Sequence, residues 1–105
     1  VARVIFIEDP EFARERDEIF SDDEFFRLQL WLAASPASGD VIPGSGGCRK
    51  LRWAAKGRGK RGGARVIYFY RITASQILLL KTYVKNAKQN LTPGEIIRLK
   101  QKIRP

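Results

Sequence analysis

Hydrophobic and polar positions alternate along the chain with two different periods, and the switches between them mark its elements. Arg3 to Ile7 is dense in β-branched residues and predicts a short strand. Asp9-Pro10-Glu11 predicts a helix start: Asp9 can accept from free amides, Pro10 suits the first helical position, and Glu11 meets the positive dipole end. Phe12, Ala13, Ile19 and Phe20 give this helix a partial apolar face. Ser21-Asp22-Asp23-Glu24 has capping-box spacing and opens a second helix. Phe25, Leu28 and Leu32 keep its helical period with Trp31 beside them, and the pair Phe25-Phe26 is expected in the core. Ser35-Pro36 ends the run, because a residue before proline avoids the α region.

Residues 38–47 (SGDVIPGSGG) are expected to be a flexible connector. They lack the phosphate-loop pattern of glycines followed by Lys and Ser or Thr. Arg49 to Ala54 alternates charged and apolar, with Leu51 and Trp53 toward a core and Lys50 and Arg52 on the other face. A basic glycine-rich loop, 56–63 (KGRGKRGG), leads into the strand pattern Ala64 to Thr73. Ala74-Ser75 is the predicted turn, and Gln76 to Lys85 is a strand expected to be interior and buried on both faces near its start. Thr92-Pro93-Gly94-Glu95 is a second capping box, and Ile96, Leu99 and Ile103 line one face of the helix it opens. The order β-α-α-β-β-β-α predicts an α+β fold with helices on a small sheet, in one domain spanning residues 1–105.

Charge changes the picture most. The net charge is +9, yet residues 1–40 hold ten acids and four bases, while 41–105 hold one acid and sixteen bases. Half of those sixteen lie between Arg49 and Arg65. Segregation on this scale predicts a directed polyanion site with an acidic back, with the first helix turned away from the anion. There is no His and a single Cys, which excludes histidine acid–base chemistry, an internal disulfide and a thiolate metal cluster. Cys48 is expected to be a small apolar residue at a strand start. No apolar stretch has the length of a membrane span or a signal-peptide core, so the chain is expected in the cytoplasm, away from membranes.

Lys50, Arg52, Lys56, Arg58, Lys60, Arg61 and Arg65 would converge if the strands on either side of the basic loop pair. Glycines 57, 59, 62 and 63 would leave backbone amides open to phosphate. Among the nearby aromatics, Phe69 and one of Tyr68 and Tyr70 are expected in the core, the remaining ring being free to stack on a base. Such a cluster can do more than bind. RNA carries its own nucleophile, the 2′-hydroxyl. An enzyme need only align it, stabilise the added charge and assist two proton transfers, for which no metal or cofactor is needed. Arginine suits the charge, and a lysine could act as base where other cations crowd it and lower its pKa.

The run from Gly39 through Gly44, Gly46-Gly47, Arg49 to Ala54, and Lys56 to Tyr68 resembles the RelE superfamily of bacterial toxins, in its HigB-like branch. The likeness extends to Tyr83 to Lys88, Leu91 to Pro93 and the early Ser21 to Glu24, so it covers essentially the whole chain. It implies an antiparallel-rich sheet with flanking helices, like microbial ribonucleases. It implies a toxin that cleaves mRNA in the ribosomal A site and arrests translation. It implies a cognate antitoxin, commonly a HigA-like helix-turn-helix protein, through which alone the toxin would meet DNA. Carried over residue by residue, it assigns Lys50, Arg52, Arg65 and Lys85 to catalysis, with Arg65 stabilising the transition state. Arg49, Lys56, Arg58, Lys60, Arg61 and Lys88 are the corresponding RNA-binding candidates. Relatives often place an arginine where Asn86 stands and a tyrosine in the C-terminal segment, which is absent after Tyr83. The general base therefore stays open among Lys50, Lys85 and Lys88. Two other readings share the fold or the patch: a gyrase-inhibiting toxin of the ParE branch, and a non-catalytic binder of RNA or ribosomes.

Overall fold

The computed structural model describes residues 3–55, 63–85, 88 and 90–104. Strand β1 (Ile5–Glu8) leads into α1 (Pro10–Ile19) and α2 (Asp22–Ala34). Then come β2 (Asp40–Val41), β3 (Arg49–Trp53), β4 (Ala64–Arg71), β5 (Gln76–Val84) and α3 (Pro93–Lys102). The strands form one sheet in the order β1-β5-β4-β3-β2. Only the β1–β5 pair is parallel.

The helix starts form as their sequences require. Asp9 accepts from the Glu11 amide at 3.0 Å, with Pro10 in the first turn. Ser21 and Glu24 close one reciprocal capping box, and Thr92 and Glu95 close the other. Each satisfies amides that have no partner inside the helix.

Alternate residues of the two long strands enter two separate cores. Phe12, Phe25, Leu28 and Leu32 of the first two helices pack with Val66, Tyr68, Ile77 and Leu79. Leu99 and Ile103 from the C-terminal end pack with Ile67, Leu80 and Tyr83. Strands β4 and β5 are thus covered on both faces, which accounts for their nearly continuous apolar sequence. The acidic helices α1 and α2 lie on one side of the sheet and α3 on the other.

Four details depart from the sequence reading. Phe26 is exposed, because the helical period that buries Phe25 and Leu28 turns it outward. The turn between β4 and β5 is a 3-10 segment, Ile72–Ala74, closed by Ser75 at φ +49°. The connector 38–47 contributes β2, which pairs with β3. It is also internally bonded rather than flexible. The wholly buried Ser45 hydroxyl donates to the Ile42 carbonyl at 2.6 Å and accepts from the Cys48 amide at 3.0 Å. Gly46 and Gly47 take φ of +80° and +108°, and a Cβ on Gly47 would press on the Phe69 ring. Cys48 is buried at the head of β3, and burial raises its thiol pKa.

Ion pairs join α1, β5 and α3. Lys81 Nζ donates to Glu15 at 2.8 Å and Glu11 at 3.0 Å, and Lys102 Nζ donates to Glu11 at 2.6 Å and Asp9 at 3.0 Å. Burial raises the Glu11 pKa, but hydrogen bonds and charge from Lys102 and Lys81 outweigh it and hold the carboxyl down to about 2. A depressed carboxyl stabilises the fold above its ordinary value and loses that contribution as pH falls through the folded value. The stability supplied by Glu11 is therefore complete above about pH 4.5 and disappears toward pH 2. Urea unfolding of Glu11→Gln should show lower stability than wild type at pH 7, with the gap closing between those limits; a gap that stays constant down to pH 2 contradicts this account.

Candidate active site

Strand pairing brings the cations together. Arg52 of β3 stands directly opposite Arg65 of β4. Lys50, two residues along β3, shares the face of Arg52 because side chains alternate with period two. Lys85 follows β5, and its amide donates to the Gly63 carbonyl at 3.2 Å, beside the start of β4. All four side chains line one open cleft of about 650 Å³ on the sheet face that carries α3. Helices α1 and α2, with most of the acids, cover the opposite face.

Arg65 is the most enclosed of the four, at 7% exposure. Its carbonyl accepts from the Thr82 hydroxyl at 2.8 Å, which fixes its backbone to β5. Like charges directly opposite in a sheet destabilise it. Arg52 facing Arg65 is thus a pair whose repulsion an anion between them would relieve, and two guanidinium forks suit phosphate oxygens. Tyr83 pairs with Arg65 in the sheet register. Burial raises its phenol pKa, with the Arg65 charge opposing, and its hydroxyl has no hydrogen-bond partner among the described residues.

Other predicted site residues are placed elsewhere. Arg49 turns to the opposite side of β3, where its guanidinium donates to the Ala37 and Gly39 carbonyls at 3.1 Å and 2.8 Å. It pins the helix-to-strand connector after α2 rather than lining the cleft. Lys88 pairs with Glu95 at 2.7 Å and is also outside the cleft lining. Lys56, Arg58, Lys60 and Arg61 lie outside the described residues. Of the three aromatics, Tyr68 is completely buried and Phe69 and Tyr70 are half-buried against the two cores; none lines the cleft. Among the described residues no three His, Cys, Asp or Glu side chains gather as a metal site, and no helix is long and apolar enough to cross a membrane.

The cleft also holds Ser38, Asp40 and Asn90, which the sequence reading did not single out. A signal existed for one of them: Asp40 is the only acid between Glu24 and Glu95. Residues 36–39 are fixed from beneath. The Tyr68 hydroxyl donates to the Pro36 carbonyl at 2.8 Å and accepts from the Gly39 amide at 2.9 Å.

Residues 11–103 match the model of the family described as the RelE toxin of the RelE / RelB toxin-antitoxin system. The chain belongs to the RelE toxin family. Solved structures share the fold at low identity. A mutant of the E. coli toxin RelE in the free state superimposes with a TM-score of 0.65 at 13% identity, over 98% of this chain and 100% of that one. The toxin-antitoxin complex RelBE from E. coli gives a TM-score of 0.60 at 13% identity, over 76% of this chain and 94% of the matched chain. The five-stranded sheet with three helices is therefore the RelE fold, and the cationic cleft is the feature this RelE-family chain builds on it.

Beneath that cleft, Tyr68 connects core to rim. Tyr68→Phe leaves a buried amide and a carbonyl without their partner and should lower stability by about 1–3 kcal/mol. Amide exchange at Gly39 should accelerate more than exchange in β4, and uniform acceleration would show that the phenol does not anchor the rim.

Proposed function

We propose that this toxin is a ribosome-dependent endoribonuclease that cuts mRNA in the A site and so arrests translation. The observation that carries the reading is the convergence of Lys50, Arg52, Arg65 and Lys85 in one cleft, with two arginines opposed and one of them enclosed. Two opposed guanidiniums grip a phosphodiester bidentately, and an enclosed one acts with less screening by water. Arg65 stabilises the charge that develops on the phosphoryl oxygens, and Arg52 holds the phosphate.

The 2′-hydroxyl attacks the adjacent phosphorus. Its proton passes to a base, the bond from phosphorus to the 5′-oxygen breaks, and that oxygen takes up a proton. The products are a 2′,3′-cyclic phosphate (or, after hydrolysis, a 3′-phosphate) and a 5′-hydroxyl, formed by protein side chains without a metal. Lys50 and Lys85 line the cleft and remain candidates for proton transfer, whereas the Glu95 partnership of Lys88 gives it a structural role. The HigB-like pattern of the sequence supports a HigA-like antitoxin as the cognate partner. The RelE membership supports a toxin–antitoxin pair in the first place, acting in the cytoplasm where ribosomes and mRNA are met.

The test adds wild type, Arg65→Ala and Arg52→Ala to a reconstituted translation reaction, with a no-ribosome control, and maps mRNA ends by primer extension. Wild type should cut within A-site codons only when ribosomes are present. Arg65→Ala should cut about 10²–10³-fold more slowly while keeping much of its ribosome affinity, the mark of a group acting in the transition state. Arg52→Ala, altered at an exposed position, separates lost chemistry from lost folding. Ribosome binding without cleavage by folded wild-type protein would overturn the nuclease reading, and gyrase poisoning would redirect it to the ParE branch.

A further inference from the structure

The cleft contains a carboxylate that its cationic chemistry does not call for. Asp40 sits on the edge strand β2, directly opposite Lys50 in the register, so the two residues share a sheet face. Among the described residues it is the only acid lining the cleft. It makes no close ion pair or side-chain hydrogen bond with any described residue, so although it stands across from Lys50 its oxygens are open to the cleft. A carboxylate also repels phosphate, so it is a poor neighbour for the scissile group.

Its position suits another part of the substrate. Strand spacing and rise put its Cα about 8 Å from that of Arg52 and about 12 Å from that of Arg65, two strands away. That is too far to serve the phosphorus gripped by the arginines. It matches the reach of one nucleotide from its phosphate to the edge of its base. Ser38 lines the same stretch of cleft, and its hydroxyl oxygen accepts from Trp31 Nε1 at 3.0 Å, which leaves its proton available to donate. The cleft rim therefore offers one donor beside a two-oxygen acceptor. The base that answers this pattern best is guanine: O6 accepts, while N1–H and the N2 amino group donate side by side to a carboxylate. Adenine and cytosine each offer one amino group, and uracil a single ring N–H.

We infer that Asp40, with Ser38 beside it, is the base-reading end of the cleft and selects guanine in the nucleotide whose phosphate Arg52 and Arg65 hold. The inference rests on the nuclease reading for its substrate, and it makes Asp40 a specificity residue of that site. The Tyr68 hydroxyl, through Pro36 and Gly39, holds the rim in register with the arginines.

The test uses ribosomes programmed with A-site codons varied one base at a time, including inosine for guanine, which deletes the N2 amino group. Wild type should prefer guanine over adenine by about tenfold to hundredfold, the discrimination expected of a bidentate contact. Inosine should fall between them. Asp40→Asn, which presents a donor as well as an acceptor, should flatten that preference more than it lowers cutting at the poorest codon, and Ser38→Ala should weaken it partially. A guanine preference retained by Asp40→Asn, or an equal loss on every codon, overturns the inference. A parallel arm keeps the two readings distinct: binding of fluorescent GGG, AAA and UUU oligoribonucleotides to the isolated protein at low salt. Selective GGG binding lost in Asp40→Asn, without cleavage by wild type, would sink the nuclease and sustain the base contact. Equal binding of all three, together with cleavage indifferent to the base, would sink the base contact and leave the nuclease standing.

Discussion

Two arginines facing each other across neighbouring strands repel, and the sheet must hold them there. It does so because β4 and β5 are buried on both sides, one face under α1 and α2 and the other under α3. The apolar residues that flank Arg65, Ala64 and Val66, are wholly buried. Each fully buried valine, leucine or isoleucine of these strands contributes on the order of 1.5–3 kcal/mol relative to exposure. Several of them outweigh the repulsion of one partly solvated pair. Arg65 is thus enclosed as a consequence of where its strand must lie. Enclosure in turn strengthens its action on an anion, since less water screens it.

The same sheet sorts the lysines. By residue type Lys50, Lys81, Lys85, Lys88 and Lys102 are alike. Lys81 and Lys102 hold α1 and α3 together through Glu11, Glu15 and Asp9, and Lys88 is tied to Glu95. Lys50 and Lys85 are left to the cleft. The acidic N-terminal half therefore does two jobs. Part of it compensates lysines that would otherwise be desolvated without a partner. The acids of α2 lie on the face away from the cleft, where they do not weaken the field an anion meets.

The glycine-rich connector links core to cleft. Ser45, sealed inside it, fixes the path from Ile42 to Cys48 and so the start of β3. Tyr68 fixes Pro36 and Gly39 from below, and Arg49 adds bonds to Ala37 and Gly39. A segment with the composition of a loose linker is thereby held on three sides. That rigidity allows the connector to present Ser38, and its two-residue edge strand to present Asp40, at a set distance from the arginines.

The helices were legible in the sequence because their signals are local: Asp9, Ser21 and Thr92 act on amides two or three residues away. The long strands were legible because burial on both faces leaves nearly continuous apolar runs. The conjunction of Lys50, Arg52 and Arg65 was legible too, since pairing of the two strands beside the basic loop brings them together by alternation alone. Tertiary structure decided what depends on distant partners. Arg49 and Lys88 are basic residues in a basic stretch, and only the carbonyls of Ala37 and Gly39, or the carboxylate of Glu95, assign them elsewhere. Phe26 shares its apolar character with its neighbour Phe25, yet one step of 100° on a helix separates the buried face from the exposed one. Asp40 stood out in sequence only as a lone acid. Its meaning came from pairing across β3, because a through-space juxtaposition set by sheet register leaves no trace in the residues around it.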